Sequence, residues 1–290
     1  MPTLREVKKR IRTVKSTARI TKAMEMVAAA KLRRAQEKVE ESRPYSNKMD
    51  EMLGQLASGA TGEISHPYFE ERELKKRTIV IITSDRGLCG SFNANVIRRA
   101  SNWLNENKDI EVEIVTIGKR ANDFFKRRQW KVVRNFSDWS GNLQMDKAKE
   151  IVSFLTDRFV GGETDEISLF FTRFLSTVKY KIVNEKYLPI APPDMDTAKE
   201  SDTNREYIFE PTPEAIYAAL MPSYATTKMV TALVESFASE HGSRMMAMGN
   251  ATQNAGEMIQ SLTLDYNKAR QAQITKELLE VVSGAEALNA

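Results

Sequence analysis

The stretch that decides how this chain begins to fold is TLREVKKRIRTVKSTARITKAMEMVAAAKLRRAQEKV, residues 3–39. Its apolar and small residues recur at alternating spacings of three and four through five heptads, which is the pattern of a coiled coil. The seam consists of Leu4, Val7, Ile11, Val14, Ala18, Thr21, Glu25, Ala28, Leu32, Ala35 and Val39. Thr3 and Glu6 form a capping box that starts a helix. The helical pattern extends to about Leu56, although Pro44 predicts a kink within it.

A second and longer helical pattern occupies the end of the chain, from about Pro213 to Ser283. It starts at Thr212, an N-cap residue that is followed by a proline at the first helical position. Its seam has the same alternating spacing and consists of Met245, Met248, Thr252, Ala255, Ile259, Leu262, Tyr266 and Ala269. At ~1.5 Å per residue the two helices would be roughly 80 and 105 Å long. We therefore predict that they pair antiparallel into a rod, which can carry force or bridge partners.

Three glycines interrupt the second pattern at intervals of seven residues, at Gly242, Gly249 and Gly256. A glycine inside a helix costs roughly 0.8–1 kcal/mol relative to alanine, so the repeat predicts a close approach of the partner helix. The run Ala28–Ala30 offers a matching small surface. The alternative is that these glycines only loosen the rod.

The second pattern outruns the first by about 17 residues, or roughly 25 Å. Its apolar residues then lack a partner within the chain, and exposed apolar surface of this extent implies a binding site for another protein. These residues are Ile274, Leu278, Leu279, Val281, Val282 and Leu288. We therefore predict that the tip of the rod enters a sleeve formed by other proteins.

Charge is concentrated in the first helix. Residues 1–38 hold twelve basic and three acidic side chains, a net charge of +9, whereas the whole chain has a net charge of +4. Such a helix attracts nucleic acid, anionic lipid or an acidic protein surface, or it simply presents a solvated face. Because base-stacking aromatic residues are not interleaved with these charges, the nucleic-acid interpretation is the weaker one.

Residues 75–195 have a different period, in which strands alternate with helices as in a parallel α/β sheet of the Rossmann-like type. The predicted elements are strands at 78–83, 111–117, 131–136, 167–174 and 178–187, and helices at about 92–106, 119–128 and 144–159. The fold class is thus α/β with a long antiparallel helical coiled coil. Residues 1–60 and 208–290 form the shaft, 75–195 the α/β domain and 196–207 a linker.

The residues do not support a catalytic, nucleotide or metal site. The turn Gly87–Gly90 lacks the order of a phosphate-binding loop, and Asp85 with Arg86 favours a turn salt bridge or a helix cap over a catalytic pair. Cys89 is the only cysteine, so we interpret it as a small buried residue in a reducing, cytosol-facing compartment. His241 has no partner at metal-ligand spacing, and the adjacent Glu240 is expected to face elsewhere. No apolar run is long enough to span a bilayer, and no cofactor is expected.

Four stretches closely resemble the gamma subunit of the F-type ATP synthase, of the bacterial type. They are ITKAMEMVAAAK at 20–31, SDRGLCG at 84–90, ASEHGSRM at 238–245 and LTLDYNKARQAQITKEL at 262–278. The resemblance implies a non-catalytic central-stalk rotor that couples proton flow through the membrane ring to conformational cycling of the catalytic sites. The alternative is a small-molecule enzyme built on the α/β domain, with the helices as oligomerisation arms.

The resemblance also implies partners and contact residues. The partners would be three alpha and three beta subunits around one copy of this chain, the epsilon subunit and the membrane c-ring. Carried over by position, the beta-subunit contacts are Met24, Arg244, Arg270, Gln271 and Thr275, and Tyr207 would contact the membrane ring. The expected location is peripheral, on the cytoplasmic face of the bacterial inner membrane. Because Cys89 stands alone, the thiol control of the chloroplast form should be absent.

Overall fold

The computed structural model describes residues 3–59, 66–139, 141–177, 179–190 and 213–289. Two long helices, α1 (Leu4–Gly59) and α5 (Pro213–Asn289), confirm the helical patterns at the two ends of the sequence. Between them lie β1 (Lys76–Ile82), α2 (Phe92–Glu106), β2 (Glu111–Ile117), α3 (Lys119–Lys126), β3 (Val132–Phe136), α4 (Met145–Val160), β4 (Glu166–Phe174) and β5 (Tyr180–Leu188). These bounds agree within two residues with those predicted from the sequence. The predicted linker and Tyr207 lie outside the described residues.

The strands form one sheet in the order β3-β2-β1-β4-β5. The first four are parallel, as predicted, whereas β5 pairs antiparallel with β4. The sheet is therefore mixed. The reason is the connection, because a parallel pairing needs a crossover of roughly a dozen residues or more and only five separate Phe174 from Tyr180.

Each face of the sheet carries its own apolar core. Ile79 and Ile81 of β1 point to the face covered by α2 and α3. The alternate residues Val80 and Ile82 point to the other face, which packs against α4 and the first half of α5. The sheet is thus enclosed between helices on both sides, and α5 serves as part of that enclosure.

The chain divides into two compact units, one of residues 28–244 and one made of the two chain ends. In the unit of the chain ends, α1 and α5 pair antiparallel along the predicted seams. The hydroxyls of Thr21 and Thr252 lie 2.8 Å apart, and residues between Glu6 and Val14 line a groove with Met258 and Leu262. Seam positions are the less exposed ones in both helices, which confirms the reading of the period.

The three glycines of α5 do not behave alike. A Cβ added at Gly242 would lie 3.3 Å from the carbonyl oxygen of Thr177, and one at Gly249 would lie 3.6 Å from the Glu25 carboxylate. At Gly256 it would meet nothing within 4 Å. The tight neighbour at Gly242 is thus a carbonyl of the connection after β4, whereas helix α1 reaches Gly242 and Gly249 only with side chains at ordinary contact distance, so the predicted close approach of the partner helix is wrong. The expected partner Ala28–Ala30 is also wrong, since the nearest helix α1 atoms belong to Leu32 at Gly242 and to Glu25 at Gly249.

This difference predicts different changes in the free energy of unfolding for two matched glycine-to-alanine substitutions. Gly256→Ala should raise the free energy of unfolding by about 1 kcal/mol, because alanine is the better helix former and the space is open. Gly242→Ala should give no such gain, because the methyl group would press on a backbone carbonyl. Denaturant unfolding followed by circular dichroism measures both, and an equal gain for the two variants would contradict the close approach at Gly242.

Candidate functional site

The middle of helix α5 is buried on every side. Each residue from Ala232 to Gly242 is buried, although five of these side chains are polar or charged. They are Glu235, Ser236, Ser239, Glu240 and His241. A helix buried all round is normally apolar, and a buried polar group without a hydrogen bond is destabilising. The contacts of these five residues therefore show what the helix is bound to.

Two serines bind α5 to the backbone of the sheet. Strand β4 pairs with β1 only as far as Phe170. Beyond that point the Thr172 N–H donates to Ser236 Oγ at 3.2 Å, and Ser239 Oγ donates to the Thr172 carbonyl at 3.3 Å. The serine hydroxyls thus supply the hydrogen bonds that a longer β1 would otherwise provide.

Glu235 connects α5 with α1 and β4. Its carboxylate lies 3.6 Å from the guanidinium of Arg43 and 3.6 Å from that of Arg173. Arg43 also donates to the carbonyl of Phe174 at 3.1 Å. Burial raises the pKa of Glu235, and the two guanidinium groups oppose that rise. The paired arginines thus stabilise a carboxylate that would otherwise be costly to bury.

Glu240 and Arg244 form a buried ion pair one turn further along. Arg244 Nη1 donates to Glu240 Oε1 at 2.7 Å, and the two side chains are 13% and 7% exposed. The other guanidinium nitrogen lies 3.3 Å from the Gly87 carbonyl and 3.5 Å from that of Arg86. Burial raises the pKa of Glu240, and the charge of Arg244 opposes that rise. Arg244 therefore joins α5 to the turn that follows β1.

His241 joins α5 to the loop that follows β3. Its Nε2 lies 2.9 Å from the Gly141 carbonyl and must carry the proton, because a carbonyl oxygen only accepts. Its Nδ1 faces the Arg244 guanidinium at 3.4 Å, and burial lowers the pKa of His241 to about 4. Gly141 has a positive φ of 71°, and a Cβ there would lie 2.5 Å from the His241 ring, so only glycine fits.

Ser243 completes this set by donating from Oγ to the Cys89 carbonyl at 2.6 Å. Glu240, His241, Ser243 and Arg244 are named the junction cluster below. The expectation that Glu240 faces away from His241 is wrong, because both side chains are buried and Arg244 contacts both. The spacing of metal ligands does not reveal this cluster. The sequence signal for it is the row of polar residues in a helix segment that also carries buried apolar residues such as Leu233 and Phe237.

The carboxyl ends of the strands are also tied to one another. The Asp85 carboxylate accepts from the backbone N–H of Lys119 at 3.2 Å and from that of Trp139 at 2.7 Å. Asp85 thus links the connections that follow β1, β2 and β3, and its bond to Lys119 lies at the first residue of α3. In doubly wound sheets a ligand usually binds in the crevice at this edge. Here the polar groups of the turns bind to the chain itself.

Cys89 lies in the same turn and is buried, as predicted, with 2% exposure. Burial raises the pKa of its thiol, and Asn93 Nδ2 lies 3.1 Å from the sulfur. A buried thiol with a raised pKa is a poor nucleophile. Within the part of the chain that the structure describes, no group of three or more His, Cys, Asp or Glu side chains could hold a metal ion.

The remaining predicted contact residues lie in the unit of the chain ends. Met24 is half-buried, whereas Arg270, Gln271 and Thr275 are exposed on α5. Thr275 Oγ1 donates to the Gln271 carbonyl at 3.0 Å. Every residue from Arg270 to Ala285 is exposed, including Leu278, Leu279 and Val281 at 61–70%. The predicted contact residues thus separate into the exposed Arg270, Gln271 and Thr275 and the half-buried Met24 and Arg244.

Comparison with known proteins identifies the family. A family model described as ATP synthase matches residues 3–288. Over 289 residues the chain is 47% identical to the ATP synthase gamma chain of Desulforamulus reducens and 45% identical to that of Pelotomaculum thermopropionicum, with 99% of this chain and 100% of each relative covered. The chain belongs to the ATP synthase gamma chain family. The predicted resemblance and the predicted central-stalk role are thereby confirmed. The gamma chain is a non-catalytic subunit of the complex. The alternative of a small-molecule enzyme is not favoured.

Solved structures agree on the fold. In a structure of the Tetrahymena thermophila mitochondrial ATP synthase, central stalk and c-ring, a chain at 24% identity has a TM-score of 0.58 and covers 80% of this chain and 99% of that one. In a structure of the Euglena gracilis mitochondrial ATP synthase, with OSCP, F1 and c-ring, a chain at 19% identity has a TM-score of 0.66. That match covers 98% of this chain and 94% of the other. The α/β domain with long terminal helices is thus the gamma chain fold. No described helix has the length and apolar character needed to cross a membrane.

The burial of His241 predicts how its ring titrates. Its midpoint should lie near pH 4 rather than 6.5, because burial disfavours the charged ring. The neutral ring therefore contributes stability fully above pH 6.5, and this contribution is lost as the pH falls toward 4, by about 1.4 kcal/mol per pH unit. The chain has two histidines, so NMR of the labelled rings with a His66→Gln variant assigns the signals. A midpoint near 6.5 for His241 would contradict the buried donor arrangement.

Proposed function

We propose that this chain turns inside a ring of three alpha and three beta subunits while its α/β domain contacts the membrane c-ring and the epsilon subunit. The observation that carries this proposal is the complete exposure of residues 270–285, where five large apolar side chains lie in open solvent. They are Ile274, Leu278, Leu279, Val281 and Val282. Apolar surface of this extent favours burial against another protein, and a surrounding ring would cover every side of the helix.

The charge of α1 supports the same arrangement. Of the twelve basic side chains in residues 1–38, only Lys31 is half-buried and the others are exposed. Lys22 and Arg33 pair with Glu25 and Glu37 of the same helix, but the segment keeps a large positive excess. Such a surface complements acidic loops, which we assign to the beta subunits. Met24 lies within this segment, and it is already half-buried by contacts within the chain.

The proposed catch between the shaft and a beta subunit consists of Arg270, Gln271 and Thr275. Arg270 and Gln271 project from a single exposed helix, whose backbone fixes their directions. A guanidinium and an amide can make directional hydrogen bonds that form at one orientation of the shaft and break at another. Arg244 is the fifth proposed contact with a beta subunit. Its guanidinium is already bonded within the chain, so it would act there mainly by fixing the position of α5.

The proposed location is peripheral, on the cytoplasmic face of the bacterial inner membrane. The support is the family, because the relatives named above are gamma chains of bacterial ATP synthases. Tyr207 is retained as a proposed contact with the membrane ring. Proton flow would turn that ring, the α/β domain would turn with it, and the shaft would drive the catalytic sites in order.

A charge reversal at the proposed catch tests this function. Arg270→Glu combined with Gln271→Ala should lower coupled ATP synthesis about tenfold, because hydrogen bonds to charged groups are worth about 1.5–3 kcal/mol each. The isolated subunit should fold normally, since both side chains are exposed. Synthesis is measured in membrane vesicles that contain the assembled enzyme. Lys149→Glu, an equal charge reversal at an exposed position of α4, is the matched control. Unchanged synthesis in the double variant would remove both residues from the catch.

A further inference from the structure

We propose that the junction cluster is the element that transmits torque between the α/β domain and helix α5. This inference rests on the proposed function in one respect, namely that the membrane ring drives the α/β domain. Glu240, His241 and Arg244 act as positioning residues in this proposal. They fix the rotation of α5 about its own axis relative to the turns that follow β1 and β3.

The geometry of the cluster is that of a lock against rotation. Arg244 and Ser243 bond to carbonyl groups of the turn at Arg86–Cys89, and His241 bonds to the carbonyl of Gly141 in a different loop. The three side chains are consecutive or nearly so, and successive residues project from a helix about 100° apart. Bonds in several directions around one turn hold the helix at a single rotation angle, because any turn of α5 about its axis breaks at least one of them.

Apolar packing alone would not provide this. The hydrophobic effect is non-directional and depends mainly on the area removed from water, so apolar packing fixes the rotation angle of a helix less sharply than directional bonds do. Hydrogen bonds weaken steeply when their angles change. Buried ion pairs such as Glu240–Arg244 add little net stability compared with an apolar replacement, and a role in specifying one arrangement is a better explanation of their presence.

The chemistry of Arg244 separates this role from simple charge neutralisation. One guanidinium nitrogen pairs with Glu240, while the other bonds to the carbonyls of the turn. A lysine ammonium would still neutralise Glu240, but it is a compact point charge and cannot span the carboxylate and the turn together. Arg244→Lys therefore preserves the charge balance of the buried site and removes the bridge. This variant should keep the subunit folded while it loosens the connection of α5 to the turn.

His241 offers a second and independent pair of variants. Gln places its amide nitrogen close to the position of the imidazole Nε2, so His241→Gln keeps a donor for the Gly141 carbonyl. His241→Leu fills the same space but lacks that donor. If His241 only fills space, the volume of the substituted side chain decides how much coupling is lost. If His241 holds the helix through its hydrogen bond, the presence of a donor decides it.

The experiment uses the whole enzyme in inverted membrane vesicles, with ATP hydrolysis and ATP-driven proton uptake measured on the same sample. We expect Arg244→Lys and His241→Leu to hydrolyse ATP while pumping fewer protons per ATP, and His241→Gln to match the wild type. Amide hydrogen exchange in residues 84–90 and 240–244 of the assembled enzyme should become about tenfold faster in the two impaired variants, as expected when one such bond is lost. Lys48→Ala, at an exposed pair with Glu51 on α1, is the neutral control.

The outcomes separate this inference from the proposed function. The Arg270→Glu/Gln271→Ala variant is measured alongside as the test of the shaft contact. If that variant loses coupling while Arg244→Lys and His241→Leu pump normally, the torque role of the junction cluster is overturned and the rotor arrangement stands. If none of the variants changes coupling, both the torque role of the junction cluster and the proposed catch at Arg270 and Gln271 are overturned. Equal loss in His241→Gln and His241→Leu would also overturn the donor role and leave only packing.

Discussion

The structure depends on the burial of helix α5 from Ala232 to Gly242 on all sides. Because no face of this segment meets water, a polar group in it is destabilising unless it has a partner within the chain. The partners are the backbone of β4 for the two serines, two arginines for Glu235, and the turns after β1 and β3 for the junction cluster. These bonds attach the helix to strand β4, to helix α1 and to two separate turns. The α/β domain and this part of α5 are consequently one folded unit rather than a domain with an attached helix.

The same bonds occupy the edge of the sheet at which a doubly wound domain usually binds its ligand. In a doubly wound fold, the turns at the carboxyl ends of the strands present free backbone groups to a ligand. Here Asp85 links three of these connections, and α5 takes the carbonyl groups of Gly87, Cys89 and Gly141. The fold has kept the architecture of a ligand-binding domain, but its edge binds a helix of the same chain.

Local patterns in the sequence account for most of the fold. The alternating spacing of three and four predicted which faces of α1 and α5 pair, and the seam ends at Ala269 as the pattern does. Periodicity assigns a residue to a face but does not say what lies opposite. For this reason Glu25, rather than Ala28–Ala30, lies against Gly249. The junction cluster was missed for the same reason, because Arg244 meets the turn at Gly87 across 157 residues of sequence. The predicted beta-subunit contacts came from family resemblance and remain predictions.

The internal contacts of a rotor must be stronger than its contacts with partner subunits. In this chain, exposed contacts and buried contacts differ in strength. Exposed ion pairs such as Arg33–Glu37 contribute about 0–1 kcal/mol and are screened by salt. Hydrogen bonds to charged groups are worth about 1.5–3 kcal/mol, and those of Arg244 and Glu240 are shielded from water. Arg270 and Gln271 are exposed, and in the proposed catch they would exchange partners at each step of a rotation. On that proposal, the contacts that must break lie in solvent and the contacts that must last are buried, so a force applied to the chain would separate the exposed contacts first.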